Sequence, residues 1–482
     1  MKSKLTIIGV FFAQLLVGQT FTESTTTQPF QAVLNGVTAI ADIDGDGDQD
    51  VLIAGSIGFP NGVTKLYTND GAGNFSEVPN VPFEQLEEGL AAFSDVDGDG
   101  DQDLLLTGRL SNLTYTGGLY LNDGQGNFTK DPDSPIINMA FGEINFADID
   151  NDGDEDFFIN GALSLSEIVA KLYTNDGQGN FTEVPDTPFA PISDASAFAD
   201  IDNDGDLDIA LAGTPADGGT RLVKLYTNDG QGNYSEVPGT NFTGVAQCDL
   251  AFSDVDGDGD QDMVVLGHTN AYVGSTKLYK NNGGTFTAAP APFQNLSVGE
   301  IAFADLDDDG FEELLITGID NNYVSYTQLF KNNAGTFSLV DDTPFAQLGF
   351  ASVGFADFDG DNDEDVIMSG TTGTEEVAGL YFNQFMVSGT AAPSLSPADF
   401  ECHIIQPVTS NSLAVSLVSQ KNQAVYLSVF DVQGQRILGP LQKQMGVGQH
   451  NYSLELPDMG KGLYFLHVRG NAKMATERFV KQ

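Results

Sequence analysis

A nine-residue stretch, DIDGDGDQD from Asp42 to Asp50, sets five like charges almost side by side, and the chain repeats it. Copies begin at Asp42, Asp95, Asp148, Asp200, Asp254, Asp305 and Asp357, at spacings of 53, 53, 52, 54, 51 and 52 residues. A fixed period near 50 points to a solenoid or a propeller, in which each unit buries its apolar face against the next. Every unit has one grammar. A short strand such as AAFSD precedes the acidic loop, and an apolar run such as DLLLTG follows it. A segment of variable sequence comes next, and a hairpin such as KLYTNDGQGNFTEV closes the unit. Four strands per unit and seven units predict an all-β fold, a seven-bladed β-propeller.

The ends of the array predict how it closes. Unit seven stops at GLYFNQF, Gly379 to Phe385, without a last strand. Near the N-terminus, FTESTTTQPF is similar to FTEVPDTPF at Phe181 to Phe189. Phe21 to Ser24 is therefore expected to supply the missing fourth strand and to remove an exposed sheet edge. Ahead of it, MKSK and the 14-residue apolar run LTIIGVFFAQLLVG read as a signal peptide, too short for a membrane span. No transmembrane segment is expected in the mature chain. The expected organisation is a signal peptide at 1–18, the propeller at 19–387, a Pro/Ser/Ala linker at 388–400 and a small β-sandwich at 401–482.

The loop pattern is D-x-D-x-D-G-x-x-D. Alternate carboxylates in a tight turn converge on one point and offer hard oxygen ligands, which suits Ca²⁺ in up to seven sites. The expected ligands are Asp42, Asp44, Asp46, Asp48 and Asp50 in unit one, and Asp95, Asp97, Asp99, Asp101 and Asp103 in unit two. They are Asp148, Asp150, Asp152, Asp154 and Asp156 in unit three, and Asp200, Asp202, Asp204, Asp206 and Asp208 in unit four. Unit five supplies Asp254, Asp256, Asp258, Asp260 and Asp262; unit six supplies Asp305, Asp307, Asp309, Phe311 and Glu313. Unit seven supplies Asp357, Asp359, Asp361, Asp363 and Asp365. Position 7 is expected to act through its backbone carbonyl, which accommodates Phe311. Glu313 in place of the last Asp predicts a weaker or differently coordinated sixth site. Position 6 is Gly except for Asn362, and both residue types permit a left-handed backbone. An EF-hand is excluded, because position 12 holds Ile53, Leu106, Ile159, Leu211, Val265, Ile316 or Met368, apolar residues inside a strand, where that motif needs Glu.

The chain has 69 Asp and Glu against 19 Lys and Arg, a formal charge of −50, and the loops hold 38 of those acids. Seven Ca²⁺ would reduce −50 to −36, so ion binding would add to folding free energy. Nucleic acid is excluded as a partner for want of a basic face. No H-E-x-x-H or G-x-S-x-G motif occurs, and the lone propeller histidine, His268, reads as structural. Cys248 and Cys402 lie far apart, with no disulfide framework indicated. The units differ most between their second and third strands, as in SIGFPNGVT, HTNAYVGS and IDNNYVSYT. These segments should share one face, opposite the acidic loops. Loops on a rigid scaffold commonly carry recognition, and Tyr115, Tyr272, Tyr323 and Tyr326 lie in them.

AFSDVDGDGDQDLLLTG and FADIDNDGDLDIALAG resemble the FG-GAP/VCBS repeats of integrin-α-like propellers, over roughly residues 21–388. The resemblance implies seven blades with calcium between the first and second strands of each. It also implies an adhesion or recognition module, a protein or glycan as partner and, alternatively, a polysaccharide-active lyase or hydrolase. After the linker, IIQPVTSNSLAVSL, YLSVFDVQGQRIL, LPDMGKGLYFLHVRG and ERFVKQ resemble the C-terminal sorting domain of bacterial type IX secretion, with Gln406–Pro407 where that family has Asn-Pro. This implies the type IX machinery as a partner and a secreted or outer-surface location.

Overall fold

The computed structural model describes residues 21–25, 28–132, 134–164, 166–384, 400–405, 412–419, 423–430, 436–457, 461–470 and 473–481. The expected signal peptide, linker residues 388–399 and Gln406–Pro407 lie outside these. Every regular element among the described residues is a β-strand, and no helix is long and apolar enough to cross a membrane.

Between residues 21 and 384 the described strands form seven four-stranded sheets, all antiparallel. Six are simple meanders; the first runs Leu34–Ala41, Asp50–Ser56, Gly62–Thr68 and Ser76–Glu77. The seventh takes Gly349–Ala356, Asp365–Thr371 and Glu376–Asn383 from the end of the array and Phe21–Glu23 from its beginning. Phe21 pairs with Asn383 and Glu23 with Tyr381, and the Ser24 N–H donates to the Leu380 carbonyl at 2.9 Å. The expected clasp is thus present.

The second strand of each unit reads as a continuous apolar run because it is covered on both sides; Asp50–Ser56 and Glu313–Ile319 are buried at every position. Each space between neighbouring sheets is filled by one apolar cluster. Leu52, Ala54 and Leu66 of sheet one meet Leu104, Leu106 and Tyr120 of sheet two. The series ends with Val51 and Ile53 of sheet one against Ile367 and Leu380 of sheet seven, so the sheets form a closed circuit, the packing of a propeller. Connector phenylalanines pin these interfaces edge-on: Phe83 on Tyr120 at 5.0 Å and Phe242 on Tyr279 at 4.9 Å.

The C-terminal strands form a three-stranded and a four-stranded sheet. Leu413, Val415 and Leu417 of the first share a core with Leu427, Val429, Leu466 and Val468 of the second, as a sandwich requires.

Candidate metal centres

Antiparallel meanders put the acidic loops and the closing hairpin turns at one end of every sheet, and the variable segments at the other. Within each acidic loop, position 6 is left-handed throughout, from φ 84° to 99° at the six glycines and 68° at Asn362. Position 4 is left-handed as well, at Gly45, Gly98, Asn151, Asn203, Gly257, Asp308 and Gly360. Sequence reasoning passed over this second kink because Gly, Asn and Asp alternate there. The two kinks wrap the backbone around the position-1 carboxylate, so the N–H groups of Gly45 and Gly47 donate to Asp42 at 2.8 and 3.0 Å. Asp46 at position 5 accepts the Asp48 N–H at 3.1 Å.

Position 9 is the first residue of the second strand and is buried in every unit, as Asp50, Asp103, Asp156, Asp208, Asp262, Glu313 and Asp365. Asp50 accepts the Ile43 N–H at 3.1 Å and the Asn69 N–H at 2.8 Å, tying the loop to the end of the third strand. Burial pushes Asp50, Asp103, Asp156, Asp208 and Asp365 up to about 7. At position 3, Asp44, Asp97, Asp150 and Asp202 are raised, first by burial and then mainly by the position-5 carboxylate beside each.

These groups converge. Single oxygens of Asp42, Asp44 and Asp50 lie within 4.8 Å of one another, as do those of Asp95, Asp97 and Asp99, of Asp148, Asp150 and Asp156, of Asp200, Asp202 and Asp208, and of Asp254, Asp256 and Asp258. The Oδ1 atoms of Asp44, Asp97, Asp150, Asp256, Asp307 and Asp359 are buried and accept no hydrogen bond. A buried carboxylate oxygen without a donor is costly, and one such oxygen beside two converging carboxylates suits a hard cation. In units one to four the position-7 carboxylates face elsewhere: Asp48, Asp101, Asp154 and Asp206 lie against the hairpin glycines Gly71, Gly124, Gly177 and Gly230, whereas Asp363 of unit seven is buried beside Asp361. In units five and six a lysine, Lys280 or Lys331, reaches the acidic cluster.

One set of residues escaped the sequence reading. The asparagine at the end of each third strand is buried, and its Nδ2 donates to the position-2 carbonyl of the previous unit's loop. Asn122 reaches Ile43, Asn175 Val96, Asn228 Ile149 and Asn281 Ile201, each at 2.8 Å. Asn332 reaches Val255, Asn383 reaches Leu306, and Asn69 returns to Phe358, completing the circuit.

At the opposite end, Leu113, Tyr272 and Tyr323 crown three of the variable segments. All three are left-handed, at φ 65°, 56° and 61°, and 54%, 77% and 82% exposed. The same short turn presents each, as in Tyr272 N–H to Thr269 O and Tyr323 N–H to Asp320 O. Phe59 is 71% exposed in the first segment. Tyr115 and Tyr326, expected on this rim, instead belong to third strands, paired with Arg109 and Gly318; the turns before them are shorter than the sequence divergence suggested. His268 lies 3.2 Å from Gln247 Oε1 and 3.0 Å from Ser297 Oγ, a satisfied structural group.

Two family matches account for most of the chain. The FG-GAP-like repeat matches residues 42–106, 95–159, 166–211, 200–265, 254–316 and 305–368, and the secretion system C-terminal sorting domain matches residues 407–482. No curated protein matches the sequence. Among solved structures, PorZ, a surface component of the type-IX secretion system of Porphyromonas gingivalis, aligns over 96% of this chain and 61% of its own, with 13% identity and a TM-score of 0.45. The present chain thus spans 61% of the length of PorZ. The Aleuria aurantia lectin aligns over 65% of this chain and 98% of its own, with 9% identity and a TM-score of 0.39. The rhamnogalacturonan lyase YesW aligns over 75% and 74%, with 13% identity and a TM-score of 0.42.

Proposed function

The chain belongs to the FG-GAP-like repeat family and carries a sorting domain of the kind that directs type IX export to the cell surface or outside; from this we propose a calcium-stabilised, seven-bladed propeller that recognises a protein or glycan through its variable-loop face. Segment 19–387 is the recognition module and segment 401–482 engages the secretion machinery. The orphaned position-3 oxygens and converging carboxylates support calcium as the ion that holds the scaffold rigid. One observation carries the recognition reading. Tyr272 and Tyr323 are large side chains held in a left-handed backbone and turned out to solvent, an arrangement that costs stability and gains nothing in the core, although the Arg221 guanidinium lies 4.6 Å over the Tyr272 ring. Such strain is retained where a protruding aromatic meets a partner.

The test is retention on a panel of immobilised polysaccharides and on intact cells, with Tyr272→Asn and Tyr323→Asn as variants. Asparagine tolerates the left-handed backbone, so the thermal midpoint should hold or rise slightly while retention falls at least tenfold. Equal retention by wild type and variants would remove the tyrosines from the contact. Released sugar in the same assay would favour the polysaccharide-active alternative.

A further inference from the structure

Two of the seven acidic loops contain a cation of the chain's own. The residue before the buried asparagine is Lys280 in KLYKNN and Lys331 in QLFKNN, where the other units have Thr68, Leu121, Thr174, Thr227 and Phe382. Lys280 Nζ donates to Asp256 Oδ2 at 2.8 Å and to Asp262 Oδ2 at 2.7 Å, bridging positions 3 and 9. Lys331 Nζ donates to Asp307 Oδ2 and lies 3.4 Å from Asp309 Oδ2 and 3.8 Å from Glu313 Oε1, covering positions 3, 5 and 9. Among the described residues, no Lys or Arg forms an ion pair with the acidic loops of units one to four or seven.

We propose that Lys280 and Lys331 stand in for the metal ion, so that units five and six are held by a tethered ammonium and only the other five loops take calcium. This rests on the calcium reading of those other loops. An ammonium donates up to three hydrogen bonds, and here it takes the Oδ2 atoms of Asp256, Asp262 and Asp307 while Asp256 Oδ1 and Asp307 Oδ1 keep no donor. Placing an ammonium and a divalent ion on one carboxylate pair sets like charges a few ångströms apart. A side chain is also present at any calcium concentration. The two loops are neighbours; loop five keeps the DVDGDGDQD of loop two, and the changes of ligand residue fall in loop six. Phe311, which replaces the position-7 aspartate of loop six, packs against Gly257 of loop five. Glu313 adds a methylene at position 9.

The experiment counts ions on the full mature chain after chelator stripping, by calorimetric calcium titration and native mass spectrometry, for wild type, Lys280→Thr and Lys331→Thr. Five ions or fewer in wild type, with one gained per lysine removed, support the substitution. Six or seven in wild type, or no gain in either variant, overturn it. A count of zero in all three removes the calcium reading as well. Amide exchange on wild type alone gives a second decision that needs no variant to fold. Chelation should speed exchange in loops 42–50, 95–103, 148–156, 200–208 and 357–365 and leave 254–262 and 305–313 unchanged. A uniform rise across all seven would overturn the proposal.

Discussion

The position-9 carboxylates concentrate the conflict that metal binding would resolve. Asp50, Asp103, Asp156, Asp208 and Asp365 each accept two backbone N–H bonds, yet burial still pushes them up to about 7. Groups raised in the folded state take up protons on folding. Metal-free protein should therefore lose stability as pH rises from the ordinary carboxylate value of 3.8 through about 7. Calcium would replace those protons, so its effect on the melting temperature should be small near pH about 5 and large near pH about 8. Melts with chelator and with excess calcium at both values check this; an equal effect at both would refute it. The buried asparagines give a second test at this scale. Asn175 Nδ2 serves Val96 O at 2.8 Å and Glu155 O at 3.1 Å. Asn175→Ala strands a buried carbonyl and should cost about 1–3 kcal/mol in urea denaturation. The sequence announced the loops, down to Asn362 serving in place of glycine, because their ligand spacing is local. It concealed the asparagine roles because Asn122 and Ile43 are 79 residues apart and NDG reads as a turn. The clue lay in constancy: the asparagine persists in KNN and FNQ, where the turn chemistry around it changes.

At the scale of elements, the innermost strands face the axis with an unpaired edge, and acids of the preceding sheet seal it. Asp194 accepts the Gln247 N–H at 2.9 Å, Asp249 the Ile301 N–H at 2.7 Å, and Glu300 the Val353 N–H at 2.8 Å. Burial raises all three. These acids sit outside the loop motif, and nothing in their local sequence distinguishes them from surface charge. The outermost strands are short, and the one at the closure comes from the other end of the chain. Phe21 is buried there against Phe345, with ring centroids 4.9 Å apart. Deleting residues 21–25 would bare the edge of Glu376–Asn383 and empty that pocket. The melting temperature should fall by several degrees and the protein should begin to associate, as read by calorimetry and light scattering. An unchanged melt would mean that the clasp contributes nothing to closure. This closure was legible because the unit grammar was complete six times and broken once, with the missing piece recognisable at the far end.

Over the whole molecule, 38 of the 69 acidic residues lie in the loops at one end of a ring. Stripped of ions, that end repels itself, and simple salt should recover part of the lost stability by screening. Raising sodium chloride in the presence of chelator should lift the melting temperature, while in excess calcium the same salt should change it little. The asparagine circuit has a different kind of consequence. Each unit lends an amide to the unit before it and receives one from the unit after, so the arrangement has a direction but no first or last member. A row of any length leaves one carbonyl bare at one end and one amide idle at the other, and bending the row into a closed loop cures both. The polar pairing is indifferent to how many units the loop contains. Copy number is left to the apolar clusters between sheets, so that gain or loss of an entire repeat would leave this circuit of amides closed.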